Sequence, residues 1–229
     1  MKPIDTPVVY GTEDLLTSLC NSVTNVLNKA TQSQVHYSGM VQRITRTCLK
    51  PDIGCFVLFD GGFSGLVIIN FSAAAAMELY SKYLLHMGMA REDLAVSFTA
   101  DEVGNVMGEL MNQVLGDFTS KVHRELQTHI TQSQPKMMAL NKQVLLSVDA
   151  NLDQPEARRV TFYTASNHLF YLEMAIDHTE FIQLFDFAPQ EKPDPDALIA
   201  QAGQQTASAT PSAAPSSNDT DDLLKSLGM

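Results

Sequence analysis

Two strand-like runs, residues 55–59 and 65–71, lie too close together for anything but a tight reversal between them. Asp60-Gly61-Gly62 stands in the gap, and glycine there supplies backbone conformations that other residues avoid. A parallel pairing would need a crossover of a dozen or more residues, so the spacing predicts an antiparallel hairpin. The pattern returns later. Residues 159–164 and 168–176 are rich in β-branched and aromatic side chains, with Ser166-Asn167 between them as a turn. Residues 36–45 and 142–148 predict two further strands, and Pro155 predicts a break ahead of residue 159.

Helical spacing occupies the rest of the folded part. Leu15, Leu16, Leu19, Cys20, Val23, Val26 and Leu27 recur at helical intervals, with Thr12 placed to cap. Ser72 caps a second helix over residues 73–86. A third runs from about residue 100 at least as far as Phe118. Short connections between strands and two or three helices predict an α/β (α+β) domain, with a mostly antiparallel sheet packed against the helices.

The third helix carries the chemistry. On a wheel of 100° per residue, Val103, Val106, Met107, Leu110, Met111, Val114, Leu115 and Phe118 gather on one face. Glu102, Asn105, Glu109, Asn112 and Gly116 gather on the other. Glu109 and Asn112, three apart, are therefore neighbours that point to solvent, as are Glu102 and Asn105. A plain solvated face favours Lys and Arg, whereas this stripe carries amides. It is flanked by Gly104, Gly108 and Gly116, although glycine inside a helix costs about 0.5–1 kcal/mol relative to alanine. Small residues beside a polar stripe let another surface come close.

Glu109-Leu110-Met111-Asn112, with Pro135 following after 22 residues, resembles the signature of the CheC/CheX/FliY chemotaxis phosphatases. Gly116 also sits where that family often has glycine, and GLVIINFSAAAAMELYSKYLL resembles its strand followed by a helix. Asn105 stands where the signature has Asp or Ser. The register Glu102/Asn105 is the alternative; it places Phe98 at the first signature position and has no proline at the matching distance. A single site is more similar to CheX than to the two-site CheC. The resemblance implies a phosphatase that hydrolyses the aspartyl phosphate of a CheY-type response regulator. Asn112 would orient the attacking water, Glu109 would dock to the receiver's lysine, and Pro135 would be structural. Mg²⁺ would be supplied at the receiver active site, with no cofactor bound by this chain. A non-catalytic CheY-binding or flagellar-switch adaptor of the same fold is the alternative function.

Composition shifts near Pro189. Residues 188–219 are Ala, Ser, Pro, Thr and Gln with almost no large apolar side chain, a composition that predicts a disordered linker. Residues 1–187 are then the CheX-like domain. Residues 220–229, TDDLLKSLGM, regain helical character: Thr220 caps, Asp221 and Asp222 suit the positive helix end, and Leu223, Leu224 and Leu227 form an apolar edge. A helix this short is unstable alone. It resembles the C-terminal CheY-binding peptide of CheZ, which implies a docking peptide for the same partner.

The formal charge of −11 and a pI near 4.8 argue against nucleic acid or an anionic membrane as partner. Trp is absent and aromatic residues make up 7%, too few for a base-stacking surface. Cys20, Cys48 and Cys55 lack metal-ligand spacing and read as buried free thiols; no metal site is expected. With no signal-like N-terminus and no run of apolar residues long enough to span a bilayer, the sequence predicts a cytoplasmic protein without membrane insertion. CheX-like proteins dimerise through their sheets, which leaves a homodimer open.

Overall fold

The computed structural model describes residues 3–140 and 142–185, with residues 3–7 described by backbone alone. The elements run β1 (Pro3–Tyr10), α1 (Thr12–Thr31), β2 (His36–Ile44), β3 (Cys48–Leu49), β4 (Ile53–Gly61), β5 (Gly65–Phe71), α2 (Ala73–His86), α3 (Asp101–Leu126), β6 (Ile130–Gln132), β7 (Lys136–Ala139), β8 (Leu146–Ser147), β9 (Pro155–Tyr163), β10 (Leu169–Asp177) and β11 (Phe181–Phe185). A 3₁₀ turn at Arg91–Asp93 interrupts the link from α2 to α3.

One antiparallel sheet organises the domain, in the order β2-β9-β10-β5-β4, with β6 and β7 sharing the outer edge of β4. Strand β5 is buried along its whole length. Val67, Ile69 and Phe71 face the helices, while Leu66 and Ile68 face a second cluster with Leu49 and Leu140. Burial on both faces is why this strand reads as continuous apolar sequence with no polar alternation. The two hairpins form as expected. At the first, a Cβ on Gly61 (φ +142) would overlap the His129 carbonyl. At the second, Asn167 takes a left-handed φ of 62, a conformation its short polar side chain tolerates.

Helix α2 begins where Ser72 accepts from the Ala75 amide at 3.2 Å. Helix α1 differs from expectation. Gly11 is its cap residue, the Asp14 carboxylate accepts the Gly11 amide at 2.9 Å, and the buried Thr12 hydroxyl donates to Glu156. Helix α3 continues past Phe118 to Leu126 because Val122 keeps the apolar spacing and is buried.

Other expectations are corrected. Residues 142–148 do not form a sheet strand; only Leu146–Ser147 pairs, with Cys48–Leu49 in a separate ribbon. The place beside β4 is taken by β7, with Lys136 opposite Phe56 and Ala139 opposite Ile53. Pro155 opens β9 and does not break it, since the first residue of a strand needs no ladder donor. Strands β1 and β11, paired to each other, and the short β6 had no strand signal in the sequence. Residues 188–219 and 220–229, with Asp221, Asp222, Leu223, Leu224 and Leu227, lie outside the described residues.

All three cysteines are free and buried. Burial pushes the Cys20 and Cys55 thiols up to about 12. Among the described residues no helix is long and apolar enough to cross a membrane.

Candidate functional site

Helix α3 is built from two faces. Val103, Met107, Leu110, Met111, Val114, Leu115, Phe118 and Val122 are buried, and each such side chain contributes roughly 1.5–3 kcal/mol by leaving water. This anchored face holds the opposite one in register toward solvent, where Glu102, Asn105, Glu109, Asn112 and Gln113 are all exposed.

A groove of about 600 Å³ lies along the N-terminal half of α3. One wall is the helix, through Gly104, Asn105, Gly108, Glu109 and Asn112. The other comes from Phe98 and Thr99 ahead of the helix and from Pro135, Met137 and Met138 around β7. Both residues of the Glu109/Asn112 register therefore line one concavity together with Pro135. Asn105 of the alternative register lines it as well, whereas Glu102 and Gly116 do not.

Pro135 is half-buried and sits just before β7. Its fixed φ and missing amide suit a chain entering an edge strand. Gly108 is where α3 comes close to β7: a Cβ there would meet Met137 Cγ at 3.5 Å, an ordinary contact. Gly104 and Gly116 have nothing within 4 Å of the corresponding position, so they leave open surface and serve no packing inside the domain.

The Glu109 carboxylate accepts one hydrogen bond, from Gln113 Nε2 at 3.1 Å. The Asn112 amide has no side-chain hydrogen bond among the described residues, and neither has Asn105. A free carboxamide offers one donor pair and one acceptor, which is what positioning a water molecule requires. Among the described residues no group of three or more His, Cys, Asp or Glu is placed to hold a metal ion.

Gln113 and the methionines of the far wall were not picked out from sequence. Gln113 carried a usable signal, standing four residues after Glu109 where helix side chains meet. Met137 and Met138 carried none, because their approach to α3 depends on which segment pairs with β4.

Several solved structures share this fold. A chemotaxis protein CheX from Desulfovibrio desulfuricans superposes with a TM-score of 0.60 at 16% identity, over 72% of this chain and 99% of that one. A CheC-like superfamily protein from Shewanella sp. PV-4 gives 0.58 at 18% identity, over 72% and 97%. The CheX of a CheX-CheY-BeF₃-Mg²⁺ complex from Borrelia burgdorferi gives 0.55 at 15%, over 72% and 99%. The domain thus has the CheC/CheX fold. No curated protein matches the chain. A family model described as Protein of unknown function (DUF3334) matches residues 6–229, and this chain belongs to that family.

Proposed function

We propose that this protein is a phosphatase for the aspartyl phosphate of a CheY-type response regulator, acting in chemotaxis or flagellar motor signalling. The observation that carries the reading is the exposed Asn112 amide, free of any described partner, beside Glu109 on the rim of a groove that also contains Pro135. The shared CheC/CheX fold supports it, as does a relative of that fold having been solved in complex with CheY, BeF₃ and Mg²⁺.

The chemistry asks little of the protein. Phosphoryl transfer passes through a loose transition state, so positioning and charge stabilisation outweigh activation of the nucleophile. The receiver supplies Mg²⁺ and a lysine around its phosphoryl group. Asn112 orients a water in line for attack, and Glu109 pairs with the receiver lysine to set the register of docking. Residues 220–229 bind the receiver a second time through Asp221, Asp222, Leu223, Leu224 and Leu227. A flexible tether of about 30 residues would span roughly 30 Å and would raise the local receiver concentration to about millimolar.

Asn105, where the signature has Asp or Ser, favours a second reading: an adaptor that binds the phosphorylated receiver without hydrolysing it. Phosphate release from phosphorylated CheY in Mg²⁺ separates the two. The phosphatase accelerates decay, Asn112→Ala abolishes the acceleration while binding persists, and Glu109→Ala weakens both. An adaptor binds and leaves the decay rate unchanged. Damage confined to Glu102→Ala and Asn105→Ala moves the site to the alternative register.

A further inference from the structure

A second concavity, about 380 Å³, lies on the other side of the α3 crest. Its apolar lining comes from Val26 and Ala30 near the end of α1 and from Tyr83 and Met87 at the end of α2. Lys29 and His86 stand on its rim, and Gln113 closes it. Gln113 is also the residue that donates to Glu109, so the cleft and the Glu109/Asn112 groove share one crest.

Two observations say what this cleft takes. Met87, which lines it, is 67% exposed, and Leu85 and Met89, its chain neighbours outside the cleft, are exposed too. Such a run of uncovered, adaptable apolar side chains suits a protein surface. The second is charge. Neither Lys29 nor His86 has an ion pair with a described acidic residue, whereas nearby Lys82 is committed to Glu78 at 2.8 Å and Ser33 at 2.7 Å. Basic side chains suit the last turn of a helix, but that does not account for the apolar lining between them. The carboxylates that line the groove are Asp101 and Glu109, both exposed. The face is therefore bipolar, with carboxylates on one side of Gln113 and the Lys29 cation on the other.

We infer that the Lys29/His86 cleft is a further docking point for the receiver on the folded domain, accepting a carboxylate set in an apolar stretch of its surface. This rests on the function proposed above and adds to it. Glu109 meets a cation of the partner, the cleft meets an anion, and together they allow a single orientation over Asn112.

The test uses the full chain with a CheY-type receiver phosphorylated by acetyl phosphate in Mg²⁺. Lys29→Glu with His86→Glu raises KM about tenfold and leaves kcat at saturation unchanged; Met87→Ala shifts KM in the same direction. An unchanged KM overturns the inference, and so does a kcat that falls as far as kcat/KM, since the cleft would then act on the chemistry. Should wild type fail to accelerate decay, the phosphatase reading fails, and calorimetric binding of a beryllofluoride-activated receiver decides the docking point alone. A weaker Kd in the charge-reversed variant then supports it, and an equal Kd overturns it.

Discussion

Arg159 and Glu173 sit opposite each other in the β9–β10 register, and an Arg159 Nη atom lies 2.7 Å from a carboxylate with no solvent exposure. Lys50 Nζ at 3.3 Å and the Cys48 amide at 2.9 Å complete the shell around Glu173. A buried ion with its partners is tolerable, but removing one side leaves uncompensated charge. Glu173→Ala is expected to cost about 3–5 kcal/mol in urea unfolding. Glu173→Gln, which keeps an acceptor for the Cys48 amide, is expected to cost less. A Glu173→Gln variant as stable as wild type would show that the charge contributes nothing.

Glu78 links helix α2 to the β9–β10 turn. Burial alone would raise its pKa, but hydrogen bonds from Lys82, Thr164 and Ser166 and the Lys82 charge outweigh it and hold the carboxyl down at about 2, from an ordinary 4.5. A folded-state pKa below the unfolded one gives stability that is fully present above pH 4.5 and drains away as pH falls toward 2. Unfolding of wild type and Glu78→Gln across that window is expected to show a gap that is widest above pH 4.5 and closes with acid. A gap that widens on acidification contradicts the assignment.

The thiols give a sharper readout. Only thiolate reacts at appreciable rate, and burial pushes Cys20 and Cys55 to about 12. Ellman's reagent at pH 8 is therefore expected to leave both unmodified in the native protein and to titrate them in guanidinium. Their rapid native labelling would mean that the α1 and β4 core opens readily.

Gly104 and Gly116 lie within α3 with open space where a Cβ would stand. Gly104→Ala and Gly116→Ala should each stabilise the protein by roughly 0.5–1 kcal/mol, the helix-interior difference between the two residues. Gly104 lines the groove and Gly116 does not. The first substitution is thus expected to lower kcat/KM toward the phosphorylated receiver and the second to leave it alone. Equal effects on turnover would remove Gly104 from the docking surface.

Much of this architecture is legible in the amino-acid sequence. The bounds of β5 and α2 follow from local pattern: a continuous apolar run between turn residues, then Ser72 at the helix start. Other elements are not. Strand β1 pairs with β11 from the far end of the domain, Pro3 opposite Phe185, and neither run carries the alternation of a half-buried strand. Residues 136–139 and 142–148 are both short and partly apolar. The Leu140 amide bonds to the Asp52 carbonyl at 2.8 Å, which places the first of them against β4 and leaves the second outside the main sheet.

Local pattern alone puts Glu109 and Asn112 on one outward face, because helical periodicity is local and eight apolar residues on the opposite face leave the stripe nowhere else to point. What surrounds them is set by packing across the whole fold. Pro135, Met137 and Met138 on one side, and Lys29 and His86 on the other, come from segments far apart in the chain. Their meeting depends on strand register and helix packing, which are chosen by the whole core at once and written in no single window of residues.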